Sequence, residues 1–197
     1  MNLPITKPNP LGGKLIRRAM PLIGVMGLLL GINFGYCGET SFTEYQVKAL
    51  FLLNFTKYVI WPAEAFADSD APFTIGVFGD NRFGDNLKKA VAGKSVGGRG
   101  IAIRQMENSD DPGKCFILFI SNSEKRRTAE ILGKIRNLPV LTVGEIGGFI
   151  DQDGMINLTM KDGKVGLEIN LQAAQRAGLQ LSSKLLSVAS TVKGRSR

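Results

Sequence analysis

Apolar and polar positions along this chain follow two periods, and the switches between them mark out its elements. From Ser41 to Pro62 the spacing predicts a helix, opened by a capping box of Ser41 and Glu44 and stopped by Trp61-Pro62. Glu44 and Lys48 add a correctly oriented i,i+4 pair. Residues 49–53 are apolar all round, and Asn54, Thr56 and Lys57 fall on different sides from Glu44. A helix without a continuous polar face is covered on most sides by its own domain or by a partner. Residues 73–79 read as a strand, with Asp80-Asn81 opening a helix through Ala92. A glycine-rich turn at 93–100 leads into a strand at 101–106, and a polar loop fills 108–113. Residues 115–120 are apolar on both faces, as in a central strand covered from both sides. Ser121 or Ser123 starts a helix rich in Lys and Arg that reaches about Asn137, and residues 139–143 form another short strand.

The cleanest local signal comes next. Ile156, Leu158 and Met160 alternate with polar neighbours, as do Val165, Leu167 and Ile169, and Asp162-Gly163 between them is a preferred type I′ hairpin turn. Asn170 then caps a helix that Gly178 ends, and Ser182 or Ser183 starts a last helix carrying Leu185, Leu186, Val188 and Ala189. Strand–helix alternation followed by a hairpin predicts an α/β fold: a mainly parallel sheet flanked by helices, with an antiparallel C-terminal hairpin.

Charge placement narrows the function. Lys7, Lys14, Arg17 and Arg18 precede an apolar run at 19–36, with small residues at Gly35, Cys37 and Gly38. That is the layout of a cleaved export signal over 1–38, so the protein is expected to be exported. The run is also long enough to span a bilayer, so a retained anchor is the alternative, opposed by Pro21 and four glycines. Tyr36 is bulky where a lipidation motif before Cys37 wants a small residue. Residues 39–192 are expected to form a single domain and 193–197 a basic tail. The pI of about 9.7 arises from the two ends, because residues 39–192 hold 18 basic and 17 acidic side chains. A body so nearly neutral has no field to steer phosphates, which argues against a nucleic-acid partner.

Histidine is absent, which excludes Ser-His-Asp and Cys-His catalysis, HExxH zinc sites and a histidine pH switch. With Cys37 in the cleavage zone, Cys115 is left as a single thiol, read as a small buried hydrophobe in an apolar strand. Gly93-Lys94-Ser95 resembles the end of a P-loop, but Lys88 stands where the pattern needs glycine, so a turn is expected. Gly79 to Gly84 follows a strand and could offer amides to an anion, yet Asp80 would repel phosphate, and a helix cap is the plainer reading. Asp151 and Asp153-Gly154 hint at calcium, but the ligand pattern is missing and a solvated turn is expected. Asp110-Asp111 before Pro112 is a turn, and Lys125-Arg126-Arg127 a solvated face. No catalytic, cofactor-binding or metal-binding residue emerges.

Several segments taken in order resemble the YfiR family of periplasmic proteins. They are Tyr45-Gln-Val-Lys-Ala-Leu-Phe-Leu-Leu-Asn-Phe-Thr-Lys-Tyr-Val-Ile-Trp-Pro62, Phe73-Thr-Ile-Gly-Val-Phe-Gly-Asp80, Gly97-Gly-Arg-Gly-Ile-Ala-Ile103, Cys115-Phe-Ile-Leu-Phe-Ile120, Pro139-Val-Leu-Thr-Val143, Gly154-Met-Ile156, Leu167-Glu-Ile-Asn170, Ala177-Gly-Leu179 and Ser182-Ser-Lys-Leu-Leu186. The resemblance implies an α/β fold and an exported, non-enzymatic regulator. Such a regulator binds and represses the periplasmic part of an inner-membrane diguanylate cyclase, lowering cyclic di-GMP and biofilm formation. An outer-membrane lipoprotein relieves the restraint by sequestering the regulator. The chain departs from the family at its sulfurs: Gly76 replaces the cysteine usual in the first strand segment, and residues 144–154 lack the second pair.

Two rivals stand beside that expectation. One is a periplasmic small-molecule-binding sensor with a pocket at strand ends. The other is an enzyme working with carboxylates alone, for which Asp80, Glu168 and Asp151 are the nominees. Trp61 is expected in the core, with an interface anchor as its other reading.

Overall fold

The computed structural model describes residues 42–66, 68 and 71–194; the expected export signal at 1–38 and the expected cap Ser41 lie outside them. The first helix, α1 (Glu44–Tyr58), is capped by Thr43. Thr43 Oγ1 accepts from the Gln46 amide at 3.4 Å, and the Gln46 side chain accepts from the Thr43 amide at 2.7 Å, a capping box shifted by two residues. The helix ends before Trp61, because Val59 turns extended and begins β1 (Val59–Ile60). The elements that follow are β2 (Phe73–Phe78), α2 (Asp85–Val91), β3 (Ser95–Val96), β4 (Arg99–Met106), β5 (Ile117–Ile120) and α3 (Thr128–Ile135). Then come β6 (Leu141–Gly144), β7 (Ile156–Lys161), β8 (Lys164–Asn170), α4 (Leu171–Arg176), β9 (Gln180–Leu181), α5 (Ser183–Ser187) and β10 (Thr191–Lys193).

Several boundaries differ from the sequence reading for identifiable reasons. The helix expected from Asp80 starts at Asp85, because the chain first turns Phe83 inward and Gly84 adopts φ 53°. The glycine-rich turn folds into a tight hairpin, β3 against β4. The helix expected from Ser121 is broken: Ser121 caps a single 3-10 turn at Asn122–Glu124, and Arg127 leaves helical geometry before α3 begins. The last helix stops at Ser187, leaving Val188 exposed, and Lys193 closes a strand where a tail was expected. The hairpin matches its prediction, with Asp162 and Gly163 both at positive φ (50° and 72°), as a type I′ turn requires. Asn170 caps α4 by accepting from the Ala173 amide at 3.0 Å, and Gly178 closes it at φ 74°.

Among the described residues, eight strands form one sheet in the order β10-β8-β7-β6-β5-β2-β4-β3. The run β4-β2-β5-β6-β7 is parallel throughout, β7–β8 and β3–β4 are antiparallel, and β10 pairs with β8 in parallel. A separate two-stranded antiparallel ladder joins β1 to β9 through Val59–Leu181 and Ile60–Gln180. The fold is α/β with a mainly parallel sheet. From β2 the chain runs outward to β4 and then crosses back to β5, so the strand order reverses between β2 and β5. Crevices at the carboxyl ends of strands at such a reversal are where open α/β sheets hold ligands.

The period of the central strands divides the core. Ile75, Val77, Ile117 and Phe119 face a cluster that includes Leu52 and Phe55 of α1. Phe78, Leu118 and Ile120 face the other way, onto Ile131, Leu132 and Ile135 of α3. Trp61 is buried, as predicted, with its ring edge-on to Phe73 at 5.2 Å and its indole N–H donating to the Phe116 carbonyl at 3.2 Å.

Candidate functional site

The first two turns of α1 lie over the carboxyl ends of β2, β5 and β6, where a cleft of about 330 Å3 opens. Lys48 sits in its wall, only 2 % exposed, because the helix places it inward with Ala49 and Leu52. Its ammonium bonds Glu44 one turn earlier and Glu145 Oε2, 2.6 Å away on the turn after β6. Glu145 also accepts from the Tyr45 hydroxyl at 3.0 and 3.2 Å and from the Asn122 amide at 3.3 Å. One carboxylate thus ties α1, the β5 end and the β6 end together. Burial, and then the charge of Glu145, push the Tyr45 hydroxyl well above its ordinary value, so it stays protonated and donates.

The loop after β2 completes the wall. Phe83, 1 % exposed, meets Phe119 at 4.7 Å and Tyr45 edge-on at 5.5 Å. This anchor sets the neighbouring Arg82 guanidinium 5.1 Å over the Tyr45 ring. On the far side Asn157, 2 % exposed, accepts from the Ile146 amide at 3.0 Å and donates to Glu168 Oε2 at 3.0 Å. Charged and polar groups from five chain segments therefore converge on one cleft.

The residues singled out from the sequence are scattered by comparison. Asp80 is exposed and donates its amide to Ser123 Oγ at 2.9 Å, Glu168 is held by Asn157, and Asp151 pairs with Lys193 at 2.9 Å. No hydrogen bond or ion pair joins any two of these three carboxylates among the described residues. Asp153 takes two arginines, Arg176 at 2.8 Å and Arg136. Partial burial would raise its carboxyl, but the hydrogen bonds and charges of Arg176 and Arg136 outweigh that and hold it below the usual range. Asp110 and Asp111 cap their own turn by accepting from the Glu107 and Gly113 amides at 2.7 and 2.9 Å. Gly93 turns at φ 65° into β3, as expected of a turn. Lys125 and Arg126 are exposed, while Arg127 folds back toward Glu124 and Glu130. Cys115 is buried just ahead of β5, 3.8 Å from Met106 Sδ, and burial pushes its thiol up to about 11.

Tyr45, Arg82, Glu145 and Asn157 went unnoticed in the sequence. For Glu145, directly after β6, and Arg82, in the loop after β2, the available signal was a polar residue following an apolar strand, where a parallel sheet presents side chains to a crevice; Tyr45 inside α1 and Asn157 inside β7 carried no such signal.

Strand order and direction define the class, a doubly wound α/β protein with its crevice at the β2–β5 reversal. Residues 45–190 match the YfiR/HmsC-like family, and the chain belongs to it. This is a family of periplasmic, non-catalytic regulators that act on diguanylate cyclases in cyclic di-GMP signalling. Among solved structures the fold is similar to that of a conserved domain protein from Vibrio cholerae O1 biovar eltor str. N16961, with a TM-score of 0.54 and 13 % identity. The match covers 78 % of this chain and 61 % of that one, so the likeness concerns the fold. No helix among the described residues is long and apolar enough to cross a membrane.

Proposed function

We propose that this chain binds the periplasmic part of an inner-membrane diguanylate cyclase and represses it, lowering cyclic di-GMP and biofilm formation. Family membership over 45–190 is the observation that carries the reading. The surface supports it. The body is nearly neutral, and a mostly apolar groove of about 250 Å3 runs between α1 and α5, lined by Phe51, Phe55, Tyr58, Leu185 and Val188. Val188 stands 64 % exposed at that groove. A contact made there is apolar and only weakly salt-dependent. Repression requires that the regulator bind the inactive state of the cyclase more tightly than the active one, and differential affinity sets its limit. An outer-membrane lipoprotein that sequesters the regulator would relieve it.

Deleting the gene should raise cellular cyclic di-GMP and surface attachment, and supplying the exported protein should reverse both. A Val188→Asp variant should keep its thermal midpoint and lose the reversal. Unchanged cyclic di-GMP in the deletion strain, with every candidate cyclase intact, rejects the repressor reading.

A further inference from the structure

We propose that the cleft at the carboxyl ends of β2, β5 and β6 is a binding site for a small organic monocarboxylate carrying a hydroxyl or ammonium donor on the adjacent carbon. The position comes first. The cleft lies where the strand order reverses, and its volume of about 330 Å3 is at the small-metabolite end of the range for ligand pockets.

The charges then select the ligand. Lys48 is matched by Glu44 and Glu145, whereas Arg82 meets only the Tyr45 ring, and no carboxylate among the described residues lies within ion-pair distance of it. Its fork of donors fits a carboxylate in two parallel hydrogen bonds. The guanidinium is presented to the cleft by neighbours that are themselves fixed: Phe83 is buried in the core, and the Tyr45 hydroxyl is tied to Glu145. Asn122 and Thr159 line the same space, and their side chains form no hydrogen bond within the described chain, so both can turn to a bound anion.

Glu44 supplies the second contact. Its side chain is 38 % exposed, and only one of its oxygens is engaged by Lys48. The other oxygen accepts from a hydroxyl or ammonium on the ligand. Lys48 and Arg82 against Glu44 and Glu145 leave the lining neutral, which disfavours dianions and leaves room for a single carboxylate with a donor beside it. Met160, 45 % exposed, lines the same cleft and offers apolar contact to the remainder of the ligand.

This site does not depend on the cyclase reading, because it is measured on the purified protein alone. Calorimetric titration with glycolate, L-lactate, glycine and L-serine is run against acetate and inorganic phosphate. At least one donor-bearing acid should bind saturably and about tenfold tighter than acetate. Arg82→Gln, an exposed change that leaves the fold intact, should weaken that binding at least about tenfold, with Arg82→Lys between the two. Glu44→Gln should abolish the preference over acetate. The proposal fails if no acid of the panel saturates, if acetate or phosphate binds as tightly, or if Arg82→Gln binds like the unmodified protein.

Discussion

Lys48 Nζ lies 2.6 Å from the Glu145 carboxylate, with side chains only 3 % and 4 % exposed, and the pair joins α1 to the turn after β6 across 97 residues of sequence. Removing one partner of a buried ion pair strands the other without compensation. Lys48→Met should therefore cost about 3–5 kcal/mol in urea unfolding, and Lys48→Met with Glu145→Leu should cost clearly less than the sum of the single changes. A single-variant loss below about 1 kcal/mol would mean that Glu145 is solvated by other means.

Trp61→Ala should destabilise by about 3–5 kcal/mol, since it empties the space between Phe73 and Phe116 and removes the indole hydrogen bond. Trp61→Phe should cost under half of that. If Trp61→Ala were stable and merely lost partner binding, the residue would be an interface anchor after all.

Burial raises the Cys115 thiol from 9.0 to about 11, with Arg104 opposing. Between these values the folded chain keeps a proton that the unfolded chain has lost. Stability from this group is thus complete below about pH 9 and declines as pH rises toward 11. Compared with Cys115→Ala, the unmodified protein should lose stability faster between about pH 8 and 10.5 in parallel denaturant titrations. Its thiol should label slowly at neutral pH until the protein is unfolded; rapid native labelling would refute the burial.

A Cβ built on Gly76 would stand 2.7 Å from Cys115 Sγ, close to the roughly 3 Å that separates these atoms across a disulfide. Gly76→Cys should form the bond with Cys115 under air and stabilise the oxidised protein by about 2–4 kcal/mol. Gly76→Ser, which has the clash without the bond, should destabilise. Two free thiols in oxidised Gly76→Cys, counted after denaturation, would show that the strands hold the positions apart.

Elements whose local chemistry agrees with their tertiary role were legible in the sequence: the β7–β8 hairpin through Asp162-Gly163, the Asn170 cap, the doubly covered β5 and the buried Trp61. Boundaries moved where a single core contact overrode local preference. Phe83 had to reach Phe119 before α2 began, and Val59 left the helix to pair with Leu181. The cleft was the least visible part, because Lys48 and Glu145 look like ordinary surface charges until the fold brings them together. Only the Glu44–Lys48 half of that network has a spacing that can be read from the chain.

The Val59–Leu181 pairing also orders events in time. Helix α1 is made early, yet β8 beneath it and β9 beside it come near the end of the chain. The part of its apolar face that these strands cover stays open until they arrive, and closing so long a loop is entropically slow. A fragment cut short before residue 180 would keep the β2–β5 strands and the Lys48–Glu145 tie but lose the ladder that holds the exit of α1, an end then open to proteases and to chaperones that hold unfolded chains. The exit of α1 is therefore fixed only once Gln180 and Leu181 have paired with Ile60 and Val59.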